Sequence, residues 1–204
     1  MAITTLDQYI AAASQRVQIL KTGSVTAVAL MNTQVLQAAG NPGAGTLAGA
    51  NTANGLVPTD ADAGFPVINA FGGGATGYIG NITFGSTVAS RITLFDCLFK
   101  AGAYAFNANT TLASQPSYSG RVIGGTDFTN TEIWIEAVTA FTGNQSIAVT
   151  YTNESGTAAR TTGTIATGVA PIVGRMLQLP LQAGDTGVQK IESVVSTVSS
   201  AGTF

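Results

Sequence analysis

The chain has 204 residues, of which 45% are hydrophobic and only 9% are charged, and its formal net charge is −2. This length and hydrophobic fraction are typical of one folded domain rather than of a disordered chain. The charged fraction is far below the roughly 25% of an average soluble domain, so neutral polar side chains or neighbouring subunits must cover much of the surface. The few Lys and Arg residues are scattered, which argues against binding to nucleic acid.

The residue counts also exclude several kinds of catalytic site. The chain contains no histidine, which removes Ser-His-Asp and Cys-His arrangements and most zinc sites. Asp60 and Asp62 form an isolated Asp-x-Asp, which offers too few oxygen ligands for a metal ion. Glu132 and Glu136 are about 13 Å apart on one face of a predicted strand, too far for a glycosidase carboxylate pair. We therefore expect a non-enzymatic protein and predict no catalytic, cofactor-binding or metal-binding residue.

Residues 1–24 are predicted to form a helical arm. Thr4 or Thr5 can cap the helix, and Lys21 and Gly23 can end it. A helix of about 16 residues is marginal in isolation, so its apolar stripe must pack on its own domain or on a neighbouring subunit. The stripe has spacings of 4, 3, 4 and 3 and consists of Leu6, Ile10, Ala13, Val17 and Leu20. Four of these residues are predicted partner contacts: Leu6, Ile10, Val17 and Leu20.

The N-terminal sequence lacks the basic segment and the long apolar stretch of a signal peptide. Nowhere does the sequence approach the roughly 18 consecutive apolar residues of a membrane span. We therefore expect a protein that is made in a cytoplasm without export by such a signal and that has no membrane partner.

Residues 25–204 are predicted to form a mainly β domain, a jelly-roll-like β-sandwich that follows the N-terminal α-helix. The prediction depends on eight or nine short strand patterns separated by turns rich in Gly and Asn. A long surface loop is predicted at 40–64, which is rich in small residues. The strands predicted in the first half of the chain are 25–31, 65–71, 77–85 and 91–99. The last of these is expected to be buried on both faces, with Cys97 as a buried thiol and Asp96 as either a hydrogen-bonded structural carboxylate or a residue at an edge position.

The clearest strand pattern runs from residue 131 to residue 165. Apolar side chains alternate at positions 133, 135 and 137, and again at 147, 149 and 151, which predicts two strands with one buried face. The sequence Asn-Glu-Ser-Gly at 153–156 supplies a turn before a third predicted strand at 157–165. Further strands are predicted at 175–181 and 188–197. Trp134 lies on the outer face of the first strand, either covered by the N-terminal helix or exposed as a platform for a partner or a sugar ring.

Several phrases of the sequence resemble a group of tailed-bacteriophage virion proteins that are encoded among head and tail genes. They are GNPGAGTLAG at 40–49 followed by VPTDADAG, RITLFDCLF at 91–99, AVTYTNESGTAARTTGT at 148–164 and LPLQAGDTGVQKIESV at 179–194. Members share a Tyr/Phe-Asp-x-Leu-Phe/Trp phrase, a Tyr-Thr-Asn-x-x-Gly-x-Ala-x-Arg hairpin and a Leu-x-Ala-Gly-Asp-Thr-Gly-Val turn. These correspond here to 95–99, 151–160 and 181–188. The resemblance covers roughly residues 40–195.

The resemblance implies a virion structural protein, made in the cytoplasm of the bacterial host, and it carries no catalytic residues. Among virion roles we favour a decoration or cement protein on the capsid exterior that bridges major capsid subunits and associates with itself, for which we predict a trimer. The competing interpretation is a tail, spike or adsorption protein that binds a host surface glycan. A tail-tube or connector component is a third interpretation, but such proteins expose more charge toward DNA.

Overall fold

A computed structural model describes residues 4–11, 16–26, 28–29, 31–45, 54–69, 77–140, 142–144, 146–166, 168, 172–196 and 202–204. The described chain is mainly β, as predicted. It contains one short helix, α1 at Leu6–Ala11, and a 3₁₀ turn at Ser119–Arg121. The strands are β1 Leu20–Lys21, β2 Asn32–Thr33, β3 Gly40–Asn41, β4 Thr110–Thr111, β5 Ile133–Glu136, β6 Ser146–Asn153, β7 Arg160–Thr161, β8 Ile165–Ala166, β9 Arg175–Leu179 and β10 Val188–Ser196. Within this part of the chain, no helix has the length and apolar character needed to cross a membrane.

The long antiparallel pair β6–β10 organises the larger sheet. Its register runs from Val188 opposite Asn153 to Ser196 opposite Ile147, with two irregularities on the way. β4 pairs with the outer side of β10, and β7 and β8 both pair with β6. A three-stranded sheet has the order β2-β9-β5, and a small two-stranded sheet joins β1 to β3.

The hydrophobic core lies where the two larger sheets contribute side chains to one cluster. Ile133 and Ile135 come from β5, and Ile147, Val149 and Tyr151 come from β6. Their burial alternates along each strand, as the period-2 pattern predicts. Each large apolar side chain that is fully removed from water stabilises the fold by about 1.5–3 kcal/mol. The predicted strands at 131–138 and 145–152 are therefore confirmed, and those at 175–181 and 188–197 correspond to β9 and β10.

Four strands predicted in the first half of the chain are wrong. The described residues of 25–31 and 65–71 and all residues of 77–85 and 91–99 lie outside any strand. Residues 27, 30, 70 and 71 lie outside the described residues. The segment expected to be buried on both faces, 91–99, is exposed as far as Asp96. The period-2 pattern is present in these segments, but a strand also needs a partner strand. No described strand pairs with any of the four segments.

The predicted N-terminal helix does not extend to Leu20. α1 covers Leu6–Ala11, residues 12–15 lie outside the described residues, residues 16–19 are not helical, and Leu20 and Lys21 form strand β1 opposite Asn41 and Gly40. The Lys21 ammonium explains the change, because it lies 2.9–3.2 Å from the carbonyl oxygens of Leu36, Ala38, Pro42 and Gly43. These contacts fix residue 21 against the start of the long loop, where a continuous helix could not place it. Ala13 and the side chain of Ile10 lie outside the described residues.

Candidate functional site

A cluster of polar side chains around Asp185 joins the β6–β7 hairpin to the turn before β10. The Asp185 carboxylate accepts two hydrogen bonds from the Arg160 guanidinium, both at 2.9 Å. It also accepts one from the Tyr151 hydroxyl at 2.7 Å and one from the Asn153 amide at 2.9 Å. The Tyr151 hydroxyl in turn accepts the backbone N–H of Gln182 at 2.8 Å. We call these residues the Asp185 cluster.

The Asp185 cluster is closed rather than open to a ligand. The side chain of Asp185 is only 3% exposed, and both of its oxygens are hydrogen-bonded. The hydrogen bonds from Arg160 hold the pKa of Asp185 well below its usual range. Burial, with the neighbouring Asp185, raises the pKa of Tyr151 to about 12, so its hydroxyl stays protonated as a donor. A carboxylate that is saturated in this way stabilises structure and is not free to act as an acid or base.

The Asp185 cluster is formed by residues from two of the sequence phrases that resemble the virion proteins. The hairpin phrase at 151–160 supplies Tyr151, Asn153 and Arg160, and the turn phrase at 181–188 supplies Asp185. The turn needs its two glycines for different reasons: Gly184 has a φ of +93°, and a Cβ on Gly187 would lie 1.9 Å from the carbonyl oxygen of Phe128. The two phrases are therefore one structural unit, although they lie about 30 residues apart in the sequence.

Removing the Tyr151 hydroxyl tests this cluster. Tyr151→Phe keeps the buried ring but leaves the N–H of Gln182 without its acceptor and removes one of the two hydrogen bonds to Oδ2 of Asp185, which keeps the one from Arg160. We expect the free energy of unfolding to fall by about 1–3 kcal/mol, measured by urea denaturation. Tyr78→Phe is the matched control because the Tyr78 side chain is 68% exposed, and there we expect a change below about 0.5 kcal/mol. Equal effects of the two substitutions would contradict the role given to the cluster.

A second polar cluster lies on the outer face of β5 around Glu136. The Gln37 side-chain amide donates a hydrogen bond to the Glu136 carboxylate, and Lys100 and Cys97 lie close enough to interact electrostatically. Burial raises the pKa of Glu136 to about 7, and the positive charge of Lys100 opposes part of this rise. Burial likewise raises the pKa of the half-buried Cys97 thiol. The sequence pattern placed Glu136 on the outer face but gave no sign that it would be buried.

The raised pKa of Glu136 predicts a pH-dependent stability. Because the folded protein holds the proton more tightly than the unfolded chain, the stabilisation is full below about pH 4.5 and is lost as the pH rises through about 7. The loss is at most about 3 kcal/mol, from the size of the shift. Urea denaturation at pH 5 and pH 8 measures it. Glu136→Gln keeps an acceptor for Gln37 and should remove most of the difference between the two pH values; an unchanged difference would contradict the assignment.

The most unusual surface of the molecule is a long exposed segment at 77–96. Every residue in it is exposed, and within the described part of the chain residues 77–95 make no backbone–backbone hydrogen bond. A bend at residues 87–88, with one hydrogen bond between the Ser86 and Ser90 hydroxyls, divides the segment into 77–85 and 91–95. We call this stretch the apolar segment because eight of its large side chains are hydrophobic and exposed: Tyr78, Ile79, Ile82, Phe84, Val88, Ile92, Leu94 and Phe95.

The apolar segment is anchored to the domain at its C-terminal end. The Arg121 guanidinium forms an ion pair with Asp96 and donates to the carbonyl oxygens of Cys97 at 3.1 Å and Pro58 at 2.6 Å. Asp96 is thus a hydrogen-bonded structural carboxylate, as expected. It is exposed, however, whereas the apolar residues around it in the sequence predicted a buried position. Phe99 then packs on the hydrophobic core. The segment therefore projects from a fixed point on the domain.

Trp134 lies half-buried where the apolar segment meets β5. Its ring packs against Phe95, with centroids 5.4 Å apart, and its indole Nε1 donates to Glu132 at 2.8 Å. The aromatic neighbour of Trp134 is therefore Phe95. The other predicted contacts that the structure describes, Leu6, Val17 and Leu20, are all exposed. The role of these residues as partner contacts stays a prediction.

The total surface of the chain is large for its mass. The chain exposes 12230 Å². A compact monomer of 20.6 kDa is expected to expose about 8,900 Å², so the excess is about 3,300 Å². Surface in excess of that of a compact monomer can be buried when subunits associate, and the exposed apolar segment is part of this surface.

Comparison with protein families, with curated proteins and with solved structures finds no match for this chain. The described residues also contain no group of three or more His, Cys, Asp or Glu side chains that could hold a metal ion.

Proposed function

We propose that this chain is a non-enzymatic structural protein of a tailed-bacteriophage virion. In this proposal it lies on the capsid exterior, associates with itself as a trimer and cements the head by bridging major capsid subunits. The observation that carries the proposal is the apolar segment, whose hydrophobic side chains stay in water in the isolated chain. A monomer gains nothing from exposing them, whereas an assembled subunit would bury them at about 25 cal/mol per Å².

The composition supports assembly through neutral contacts. With only 9% charged residues, the chain has few side chains that could form ion pairs across an interface. Exposed ion pairs weaken as salt rises, whereas apolar contacts do not. A protein that holds a virion together across changing ionic conditions benefits from such an interface. The same feature disfavours a role that needs a charged surface, such as lining a channel for DNA.

The polar clusters support a scaffold rather than a catalytic centre. The Asp185 cluster uses its donors and acceptors on one another, and Glu136 is occupied by Gln37 and Lys100. Each cluster fixes one loop on the β domain. We propose that the domain is a jelly-roll-like sandwich whose sheets carry the apolar segment, the N-terminal arm and Trp134 toward neighbouring subunits.

Addition of the purified chain to capsids that lack it tests this function. We expect the chain to sediment with the capsids and to stay bound when the salt concentration is raised, because the contacts are apolar. Deletion of residues 1–22 should weaken binding if the arm docks on a neighbour, and unchanged affinity would refute the arm. Binding to host cells together with failure to bind capsids would overturn the capsid role and support the adsorption protein.

A further inference from the structure

Strand β5 has an open edge in the described chain. On one side it pairs with β9, from Ile133 opposite Leu179 to Glu136 opposite Met176. The N–H of Ala137 donates to Arg175 on that same side, and successive residues of a strand alternate their hydrogen-bonding direction. The backbone groups of Trp134 and Glu136 therefore point away from β9. No described residue hydrogen-bonds to them there.

The same edge is covered just beyond β5 by the segment at residues 202–204. The N–H groups of Val138 and Thr139 both donate to the carbonyl oxygen of Thr203, at 3.0 and 3.2 Å. Thr203 also bridges to Ala105, so the edge at this end is covered. The opening is thus limited to the four residues of β5, whose inner side chains, Ile133 and Ile135, belong to the core. An added strand there would extend the sheet over the border of the core.

The two halves of the apolar segment have the properties of strands that lack a partner. Tyr78, Ile82 and Phe84 lie at even positions and share one face of a strand, as do Ile92 and Leu94, while Ile79 and Phe95 lie on the other face. Their backbone groups are free of intramolecular backbone partners among the described residues. Residues 77–95 contain one charged side chain, Arg91. The chain therefore contains two segments with a strand pattern but no described partner strand, 77–85 and 91–95, and one strand with an unpaired edge, β5.

We propose that residues 77–85 or 91–95 of one copy of this chain add as a strand to the open edge of β5 in a second copy. Backbone hydrogen bonds would provide the affinity, and the alternating apolar side chains would cover the border of the core. This inference deepens the proposed function, because it names the surface through which the protein associates with itself. The acceptor is not the segment's own β5: Phe95 already touches Trp134 in the isolated chain, yet residues 77–95 remain unpaired.

A second copy fits the available surface. Obligate homo-oligomer interfaces bury at least about 2,000 Å² in total, or about 1,000 Å² on each copy, and the excess surface of one chain, about 3,300 Å², is larger than this. Cyclic exchange, in which each copy donates a segment to the next copy and accepts one from the previous copy, closes a trimer with every β5 edge paired. Both surfaces are nearly neutral, so no oppositely charged partner is required.

Hydrogen exchange of the full-length protein tests the proposal. We expect the amides of residues 77–95 and of Trp134 and Glu136 to gain protection together as the concentration rises and the protein associates. Protection that is independent of concentration would show pairing within one chain and would overturn the proposal. Protection that requires added major capsid protein would assign the edge to that partner and would overturn it as well.

Proline substitutions identify which half of the segment pairs. Thr83→Pro or Thr93→Pro removes a backbone donor from a strand-patterned half without removing an apolar side chain. We expect the substitution in the pairing half to weaken self-association by about tenfold or more and to remove the protection of β5. Thr87→Pro, at the bend between the halves, is the matched control and should leave association unchanged. If neither Thr83→Pro nor Thr93→Pro weakens association, the proposal fails.

The outcomes for this interface and for the virion role can be separated. A protein that associates through the β5 edge but does not bind capsids would contradict the proposed function and leave the interface standing. A protein that binds capsids but stays monomeric at every concentration would contradict the interface and leave the capsid role standing.

Discussion

Replacing both Ile82 and Leu94 with glutamate is expected to weaken binding to capsids and to other copies by at least about a hundredfold. Each substitution places a carboxylate where an assembled subunit would bury an apolar side chain, and burying an unpaired charge costs several kcal/mol. Both side chains are exposed in the isolated chain, so the free energy of unfolding should change by less than about 1 kcal/mol. Sedimentation with capsids, sedimentation equilibrium and urea denaturation measure these three quantities.

The double variant Thr87→Glu/Ala89→Glu is the control for this experiment. It adds the same charge to the bend of the same exposed stretch, outside the two strand-patterned halves. We expect it to bind nearly as well as the unaltered protein. If the two double variants lose binding equally, the effect is one of net charge, and the apolar segment is not the contact.

Phe106→Ala is expected to have the largest effect on the fold itself. The Phe106 side chain is 0% exposed and packs against Phe204 with ring centroids 4.6 Å apart. Removing a buried phenylalanine ring costs about 3–5 kcal/mol, because the lost contacts are only partly recovered by relaxation around the cavity. Since a domain is stable by only about 5–15 kcal/mol, the variant should lose a large share of its stability.

Phe84→Ala provides the comparison for Phe106→Ala. The Phe84 side chain is 47% exposed and lies in the apolar segment, so its removal should change the free energy of unfolding by less than about 0.5 kcal/mol. Thermal or urea denaturation compares the two variants directly. A large loss from Phe84→Ala would mean that the apolar segment packs on the monomer core, which would contradict the exposed surface on which the proposed function depends.

The strands in the second half of the chain could be predicted from the sequence, because the alternation of residues along each strand shows which face is buried. Along β6, Ile147, Val149 and Tyr151 alternate with polar residues, and the buried face was predictable from that alternation alone. Asn153 continues the buried face, but its amide is paired with Asp185, 32 residues away. A period-2 pattern contains no information about such a partner, so the Asp185 cluster could not be predicted from the residues that form it.

The first half of the chain shows the limit of the same pattern. Alternation at 77–85 and 91–99 predicts strands, but only an available edge makes them strands. In the isolated chain neither segment pairs with a described strand, although β5 has an open edge, and residues 77–96 stay exposed. The helix prediction for the N-terminal arm is wrong at residues 20–21 for another reason. An apolar stripe indicates a helix, whereas the contacts of the Lys21 ammonium with four carbonyl groups fix these two residues in a strand.

The copy number of this chain in purified virions tests the central claim most directly. Quantitative mass spectrometry against the major capsid protein gives the ratio of the two chains. A decoration protein that bridges major capsid subunits is expected at a copy number comparable to theirs, in the hundreds per virion, because it follows the symmetry of the lattice. A handful of copies per virion, or none, would contradict the capsid role.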